Sequence, residues 1–363
     1  MAGRIDGIAQ QELPLPALTS RIAWVAWMGL AVLLFLVLDL VLGSVNIPLA
    51  EVIKILTGQG SENIAWLRIV QNIRIPKAFT AILAGAALSV SGLQMQTLFR
   101  NPLAGPSVLG ITSGASLGVA ILMLGTGHIT SSFAIRQLGI GGSWLIILAS
   151  SIGSAVIMLM VIGLSLRIKD NVILLIMGLM LSNLIIAIVS IWQYFSEPEQ
   201  IQEYLMWTFG SLGGVSREQL TVLSLTVLIG IALAFSSSKF LNLLLLGEDY
   251  AGSMGINIRY VKLRVIISTS LMAGAITGFC GPIGFIGIAV PHLCRALLHT
   301  ADHRILIPSC CLLGASVMLL CDIVAQLPGH PGVLPVNAVT AIVGSPVVMW
   351  VILKRKNMKS SFS

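Results

Sequence analysis

Charge is what this 363-residue sequence has least of. Only 10% of its residues are Asp, Glu, Lys or Arg, where a soluble domain carries about a quarter. Aromatics make up 6% and hydrophobic residues 56%. That balance excludes a soluble globular class and fits a polytopic membrane protein. No GxxxxGK[ST] loop is present, so the chain does not bind ATP by that route. HExxH is absent too, which leaves a zinc-hydrolase reading without support. The five cysteines (Cys280, Cys294, Cys310, Cys311 and Cys321) fall in or beside apolar runs and form no CxxC pair. They mark neither a metal site nor a disulfide framework. The net charge of +7 is no nucleic-acid signal, because no basic patch is interleaved with aromatics. No cofactor, no metal and no catalytic residues are expected.

Long apolar runs are what the sequence does have. A helix needs about 20 apolar residues to cross the hydrocarbon. Spans are predicted near 22–43, 78–97, 107–125, 143–166, 172–192, 219–237, 261–279, 282–298, 305–326 and 335–353. The third and eighth are short and rich in Gly and Pro. The first run is too long for a signal-peptide core and is read as a retained span. The expected layout is a tail over 1–21, one transmembrane domain over 22–353, and a second tail over 354–363. The fold class is all-α, with about ten transmembrane helices.

Lys and Arg set the orientation. Fifteen of the 21 fall on one side; six, Lys54, Arg68, Arg74, Lys77, Arg136 and Arg217, fall on the other. The richer side is the cytoplasm, so both termini are expected there. Among the acids only Asp39 and Asp322 lie inside spans, each about one turn from the outer end. An ion-coupled carrier would hold ionisable groups near the midplane. Any uphill work then draws its energy from a partner. A faint internal repeat is also visible. "LAGAALSVSG" (83–92) and "MAGAITGFCG" (272–281) share their small-residue spacing, and the same offset carries Pro102 onto Pro291. Opposite span directions would make this an inverted repeat; recurrence of small residues in packed membrane helices is the other reading.

Four polar stretches interrupt the runs. "LLLLGEDYAGSMGINIRYVKLR" (243–264) places Glu248 and Asp249 where a helix start favours acids, Gly255 where a helix stops, and Asn257 where the next one is capped. It predicts a short helix, a break and a second helix; the short helix is either a linker or a knob for a partner's groove. "FRNPLAGP" (99–106) breaks the backbone, since residues before proline avoid the helical region. It is either a tight turn or a pathway element, because broken backbone at membrane depth must be buried or line a cavity. "RIVQNIRIPKAF" (68–79) sets Arg68, Arg74 and Lys77 against the inside bias, as helix-end anchors or as a docking surface. "EYLMWTFGSLGGVSREQ" (203–219) predicts a short outer helix, with Trp207 and Phe209 as interfacial aromatics or gate elements. His292 and Arg295, one turn apart, read as a structural His and a snorkelling Arg.

"LSVSGLQMQTLFRNPLAGPSVLGITSGASLG" (88–118), "LLLLGEDYAGSMGI" (243–256), "GPIGFIGIAVPHLCRAL" (281–297), "ADHRILIP" (301–308) and "LPVNAVTAIVGSPVVMW" (334–350) stand in this order. Together they resemble the iron-chelate and vitamin B12 permeases of ABC importers, from about residue 64 to 353. The resemblance implies a type II importer permease with ten spans per subunit. It implies a homodimer, two copies of an ATP-binding subunit, and a periplasmic or lipid-anchored substrate-binding protein. Lipid is expected around the spans and nucleic acid is not. A bacterial inner membrane is the implied location. Gly247, Glu248, Asp249, Ala251, Gly252, Met254 and Gly255, within a loop of about 247–257, would couple to the ATPase. Asn101, Leu103, Asp170, Asn171 and Leu174 would form the cytoplasmic gate. Arg74 and Lys77 would receive acidic side chains of the binding protein, while Gln326 stands where the family often has Arg.

The implied function is import of a metal chelate, ferric siderophore first, then haem or cobalamin. Two other classes make predictions of their own. An ion-coupled secondary transporter predicts a titratable group near the midplane, and a membrane-embedded enzyme predicts a His, Cys or Asp constellation within a span. The sequence shows neither.

Overall fold

The structure, a computed structural model, describes residues 18–61, 63–125, 140–168, 170–326 and 332–360. Most of the predicted N-terminal tail, Arg136 and residues 361–363 lie outside the described residues. Every element among the described residues is helical. α1 (Leu18–Val41) is followed by short α2 (Leu49–Leu56). α3 (Ile64–Leu98) contains a π-helical turn at Val70–Arg74. α4 (Ile111–Met123), α5 (Ile140–Arg167), α6 (Asn171–Phe195) and α7 (Pro198–Thr208) come next. α8 (Arg217–Ser236), α9 (Ser238–Leu246), α10 (Glu248–Ser253) and α11 (Ile258–Cys280) precede α12 (Ile286–Leu298), α13 (His303–Ala325) and α14 (Val336–Ser360).

Seven of these helices are long and apolar enough to cross a membrane, and three shorter apolar ones take the third, eighth and tenth predicted places. α12 has 13 residues, which at 1.5 Å per residue gives about 20 Å, less than the ~30 Å hydrocarbon. α14 runs past the predicted boundary at 353, so the last segment begins as helix rather than as a tail. The long helices start where the polar breaks supply caps. Asn63 accepts from Ala65 and Trp66, Asp170 from Val172 and Ile173, Asn257 from Tyr260, and Asp302 from Arg304. Ser216 and Gln219 close a capping box on α8. Each satisfies amide groups that a helix start leaves open.

The core is built around α3. From Ala84 to Leu98 every side chain is buried. It packs against α13, α11, α12 and α8. Small residues make that possible. A β-carbon at Gly85 would overlap the Gly314 carbonyl of α13, and one at Gly92 would overlap the Gly287 carbonyl of α12. α4 and α5 meet in the same way, Gly118 against Ala149 and Gly114 against Gly153. With lipid as apolar as any side chain, such close backbone approach is what holds membrane helices together. The pattern Gly114-x-Ser116-x-Gly118 lies inside α4 and serves this packing. It is not the strand-to-helix elbow that would expose a nucleophile.

The two repeat segments differ in local backbone. Gly92 continues within α3, while Gly281 ends α11 at φ 76°. Pro102 lies in a bend and Pro291 inside α12. α1, α6 and α8 are the least covered of the long spans, and α6 shows Ile176, Met180, Leu184 and Ile186 outward. Such surfaces suit lipid or another copy of the chain.

The contact at Gly92 gives a direct test. Gly92→Leu should separate α3 from α12 and cost at least about 1–3 kcal/mol, read as a lower melting temperature of the detergent-purified protein. Gly252→Ala, at an open position, is the control expected to melt with the wild type.

Candidate coupling and gating sites

One end of the bundle carries α10. Gly247 precedes it at φ 127°, ψ 149°, a backbone that disfavours any side chain, and an added β-carbon would also crowd the Arg100 guanidinium. Gly255, at φ 79°, ends the turn, and Asn257 opens α11. The predicted helix, break and second helix are all present. Tyr250, Gly252, Ser253, Met254 and Gly255 face outward, with Met254 61% exposed. Ala251 does not: it is 0% exposed and packs beneath the helix. Its small side chain seats α10 instead of presenting a contact, so Ala251 is withdrawn from the outward-facing set. Asp249 is the second residue of α10.

The start of α10 is tied to two other elements. Asn171 Nδ2, at the start of α6, donates to Glu248 Oε1 and to the Leu98 carbonyl at 2.8 Å. Lys262 Nζ, in the first turns of α11, lies 3.3 Å from Glu248 Oε2 and is itself 4% exposed. Arg100 Nη2 donates to the Leu244 carbonyl at 3.0 Å. These bonds bring the predicted gate segments and the predicted coupling helix together.

The break after α3 is built as predicted. Arg100 sits at φ 47°, and Asn101 Oδ1 accepts from the Leu103 amide at 2.9 Å, making an Asx turn. Leu103 is 42% exposed, and a 3₁₀ turn at Pro106–Leu109 leads into α4. His292 Nε2 donates to the Pro102 carbonyl at 2.8 Å, and Arg295 donates to the side chain of Gln96. The Gln96 amide donates to the Ile288 carbonyl. So His292 is structural, as read, and Arg295 turns inward to α3 rather than snorkelling. Asp170 is the N-cap of α6. Leu174 is 1% exposed because α6 packs on the 106–109 turn and α4. It therefore cannot line an opening in the single chain, and the gate set contracts to Asn101, Leu103 and Asn171.

A buried clamp missed by sequence reading stands beside this site. Asn242 Oδ1 accepts both the main-chain N–H and the Nδ1–H of His303, at 2.8 and 2.7 Å. That leaves His303 Nε2 to accept from the Thr97 hydroxyl at 2.8 Å. The Asn242 amide nitrogen donates to Asp302. Burial alone would raise the Asp302 carboxyl, but the Asn242 and Arg304 N–H groups outweigh it and hold it below its usual value. The clamp joins α3, α9 and α13. The signal was a run of polar residues at the "ADHR" start of α13.

The opposite end carries α2 and corrects the docking assignment. Arg74 is 6% exposed. Its guanidinium donates to the carbonyls of Leu40 (2.7 Å), Val41 (2.8 Å) and Val45. These belong to the end of α1 and the turn beyond it, where carbonyls lack helical partners. Lys77 Nζ lies 3.0 Å from Asp322, whose side chain is 1% exposed. The Gln326 amide donates to both Asp39 (2.7 Å) and Asp322 (2.9 Å). Arg74 and Lys77 are thus internal partners of α1 and α13, not a surface for another protein. The cations exposed at this end are Arg68, Arg217 and Lys54, the last paired with Glu51 on α2. Arg217 also donates to the Gln71 carbonyl at 2.7 Å, in the π-helical turn. The predicted outer helix is α7, with Phe209 44% exposed and Trp207 packed near Tyr204.

Residues 30–354 match the family model described as the FecCD transport family. The hemin transport system permease protein HmuU of Yersinia pestis is 36% identical over 332 residues, which cover 91% of this chain and 97% of that protein. The vitamin B12 import system permease protein BtuC of Shigella boydii is 34% identical over 340 residues, covering 93% and 97%. A solved structure of an inward-facing metal-chelate type ABC transporter superposes with a TM-score of 0.78 at 26% identity, covering 92% of this chain and 99% of that one.

The buried ion pair gives a prediction of stability. Lys77→Met leaves Asp322 without its cation and should cost about 3–5 kcal/mol, while adding Asp322→Asn should restore most of the loss. Melting of the purified single and double variants checks the order.

Proposed function

The chain belongs to the FecCD transport family, whose members are non-catalytic permease subunits of ABC importers, and we propose that it imports a ferric siderophore as a homodimer. Haem and cobalamin are the other chelates the family admits. Two ATP-binding subunits drive the cycle, and a substrate-binding protein delivers the chelate at the α2 end. The α10 end and both termini face the cytoplasm of a bacterial inner membrane. Access alternates by population shift, with nucleotide on the partner subunits as the biasing ligand.

One observation carries the reading. α10 is a six-residue helix that presents Tyr250, Gly252, Ser253 and Met254 to solvent while its first residue is bonded to α6 and α11. A short helix that shows Tyr250 and Met254 beside the small Gly252 and Ser253, on an anchored base, is suited to a partner's groove. The gate lies beside it, at Asn101, Leu103 and Asn171. Docking of the binding protein falls to Arg68 and Arg217, because Arg74 and Lys77 are occupied inside and the third exposed cation of the α2 end, Lys54, is paired with Glu51.

Gly252 separates the partner role from a folding role, since a β-carbon there meets nothing within 4 Å. Gly252→Arg should leave melting within about 0.5 kcal/mol of wild type. It should lower co-purification of the ATPase subunit from the native membrane about tenfold or more, the loss of roughly 1.4 kcal/mol of docking energy. Full retention of that subunit would remove α10 as the coupling helix. No ATPase subunit with the wild type would remove the importer reading.

Arg68→Glu with Arg217→Glu should weaken binding-protein affinity, and the loss should be larger at low salt than at high salt. A flat salt series in a titration of the reconstituted complex would place docking elsewhere.

A further inference from the structure

We infer that Asn171 is a positioning residue that links α10 to the break after α3, so that movement of α10 is passed on through one side-chain amide. The inference rests on the importer reading above and deepens it. Its geometry is specific to three elements that are far apart in sequence.

Asn171 Nδ2 has two hydrogens and two acceptors. One is Glu248 Oε1, in the first residue of α10; the other is the Leu98 carbonyl, in the last residue of α3. Both donors are thus used, on opposite sides of the same nitrogen. Neither acceptor is replaceable at low cost. Leu98 ends a helix, where a carbonyl has no partner in its own helix. Glu248 carries charge in a part-buried site and is held on its other oxygen by Lys262. A charge-assisted bond of this kind is stronger than a neutral one.

The break begins at the residue after Leu98. Its middle is fixed at Pro102, whose carbonyl is held by His292 of α12, and Gln96 with Arg295 and the Ile288 carbonyl binds the last turn of α3 to α12. Its near side is held by Asn171. A displacement of α10 therefore pulls on the Leu98 side of a break that is anchored at Pro102, and the intervening residues 99–101 take up the difference. Gly247, with its unusual backbone, and the Gly255 turn are the points at which α10 can pivot against α9 and α11. The ion pair with Lys262 keeps Glu248 aimed at Asn171 through the movement.

The test measures coupling rather than assembly. The complete complex of permease, ATPase subunits and binding protein is reconstituted in proteoliposomes and given a ferric hydroxamate chelate, or hemin if the chelate is not taken up. ATP hydrolysed per chelate imported is the readout. Asn171→Ala should raise that ratio about five- to tenfold, the size of an ordinary allosteric coupling. Glu248→Ala should raise it similarly, and the double variant should be no worse than either single one, since both cut the same link. Additive losses or an unchanged ratio would overturn the link. So would loss of the ATPase subunit from Asn171→Ala, because Asn171 would then act on docking.

A second pair guards against variants that simply fold poorly. Asn171→Cys with Glu248→Cys removes the hydrogen bond but allows a short bifunctional thiol reagent to replace it. Transport should be uncoupled before cross-linking and recoupled after it. Transport abolished by cross-linking would mean that α10 slides past α6, which overturns the link. If the wild-type complex imports no chelate and carries no ATPase, the importer reading fails and the Asn171 link falls with it. If the wild type is coupled and the variants are too, only the link fails.

Discussion

The close approach of α3 to α13 and α12 is the constraint on which the rest depends. Gly85 lies on Gly314 and Gly92 on Gly287 with no room for a methyl group. A helix gripped this tightly along its middle cannot shift as a body, so only the contacts at its two ends can give. At one end Arg74 and Lys77 bind α1 and α13; at the other, Leu98 and Arg100 bind α6 and α9. α3 acts as a strut between a polar cluster at the α2 end and another at the α10 end. Packing of this kind is bistable rather than elastic, so a moving element must lie outside it. α10 satisfies that: Glu248 bonds to Asn171 of α6 and Lys262 of α11, and Asn171 carries the link to the Leu98 carbonyl of the strut.

The broken backbone at 99–110 follows from the same arrangement. Two helices that stop inside the protein leave amides and carbonyls that lipid cannot satisfy. The structure answers group by group. The Leu98 carbonyl takes Asn171, the Pro102 carbonyl takes His292, and the Leu103 amide takes Asn101. Polar side chains in these stretches are therefore there for the backbone first. An exposed Leu103 among them is the exception, and an apolar residue held outward by a satisfied turn suits a constriction.

Much of this was legible in the sequence, because run length, caps and glycines act locally. Asp170, Ser216, Asn257 and Asp302 cap the helices they precede, and Gly247 and Gly255 bound the short helix they frame. Which side of a helix faces inward was not legible where every face is apolar. Leu174 fell on the inner side for that reason, and Ala251 because a six-residue helix is too short to show a face by its periodicity. Arg74 and Lys77 misled differently. Charge at a helix end suggests a surface, and the long side chain hides where the head goes. The correcting signal was present: two acids, Asp39 and Asp322, lie at the same depth as two bases. Buried carboxylates need cations, and the count matches.

That count also explains Gln326. Asp39 and Asp322 are each 1% exposed, Arg74 is 6% exposed, and the Lys77 side chain 13%. Their formal charges cancel. An arginine at 326, the residue that the family resemblance suggests there, would add an unbalanced positive charge to a closed cluster. It would also crowd Arg74, since the Arg74 guanidinium and Gln326 Oε1 already close on Gly43 so tightly that a β-carbon built there would lie 3.0 Å from each. An amide avoids both problems. Its nitrogen bridges the two carboxylates, as an arginine would, and it brings no charge. The departure at Gln326 is thus matched to the acids beside it, Asp39 on α1 and Asp322 on α13. An exposed docking position would give no reason for such a match. Gln326 is thus part of the bolt that joins α1, α13 and the strut.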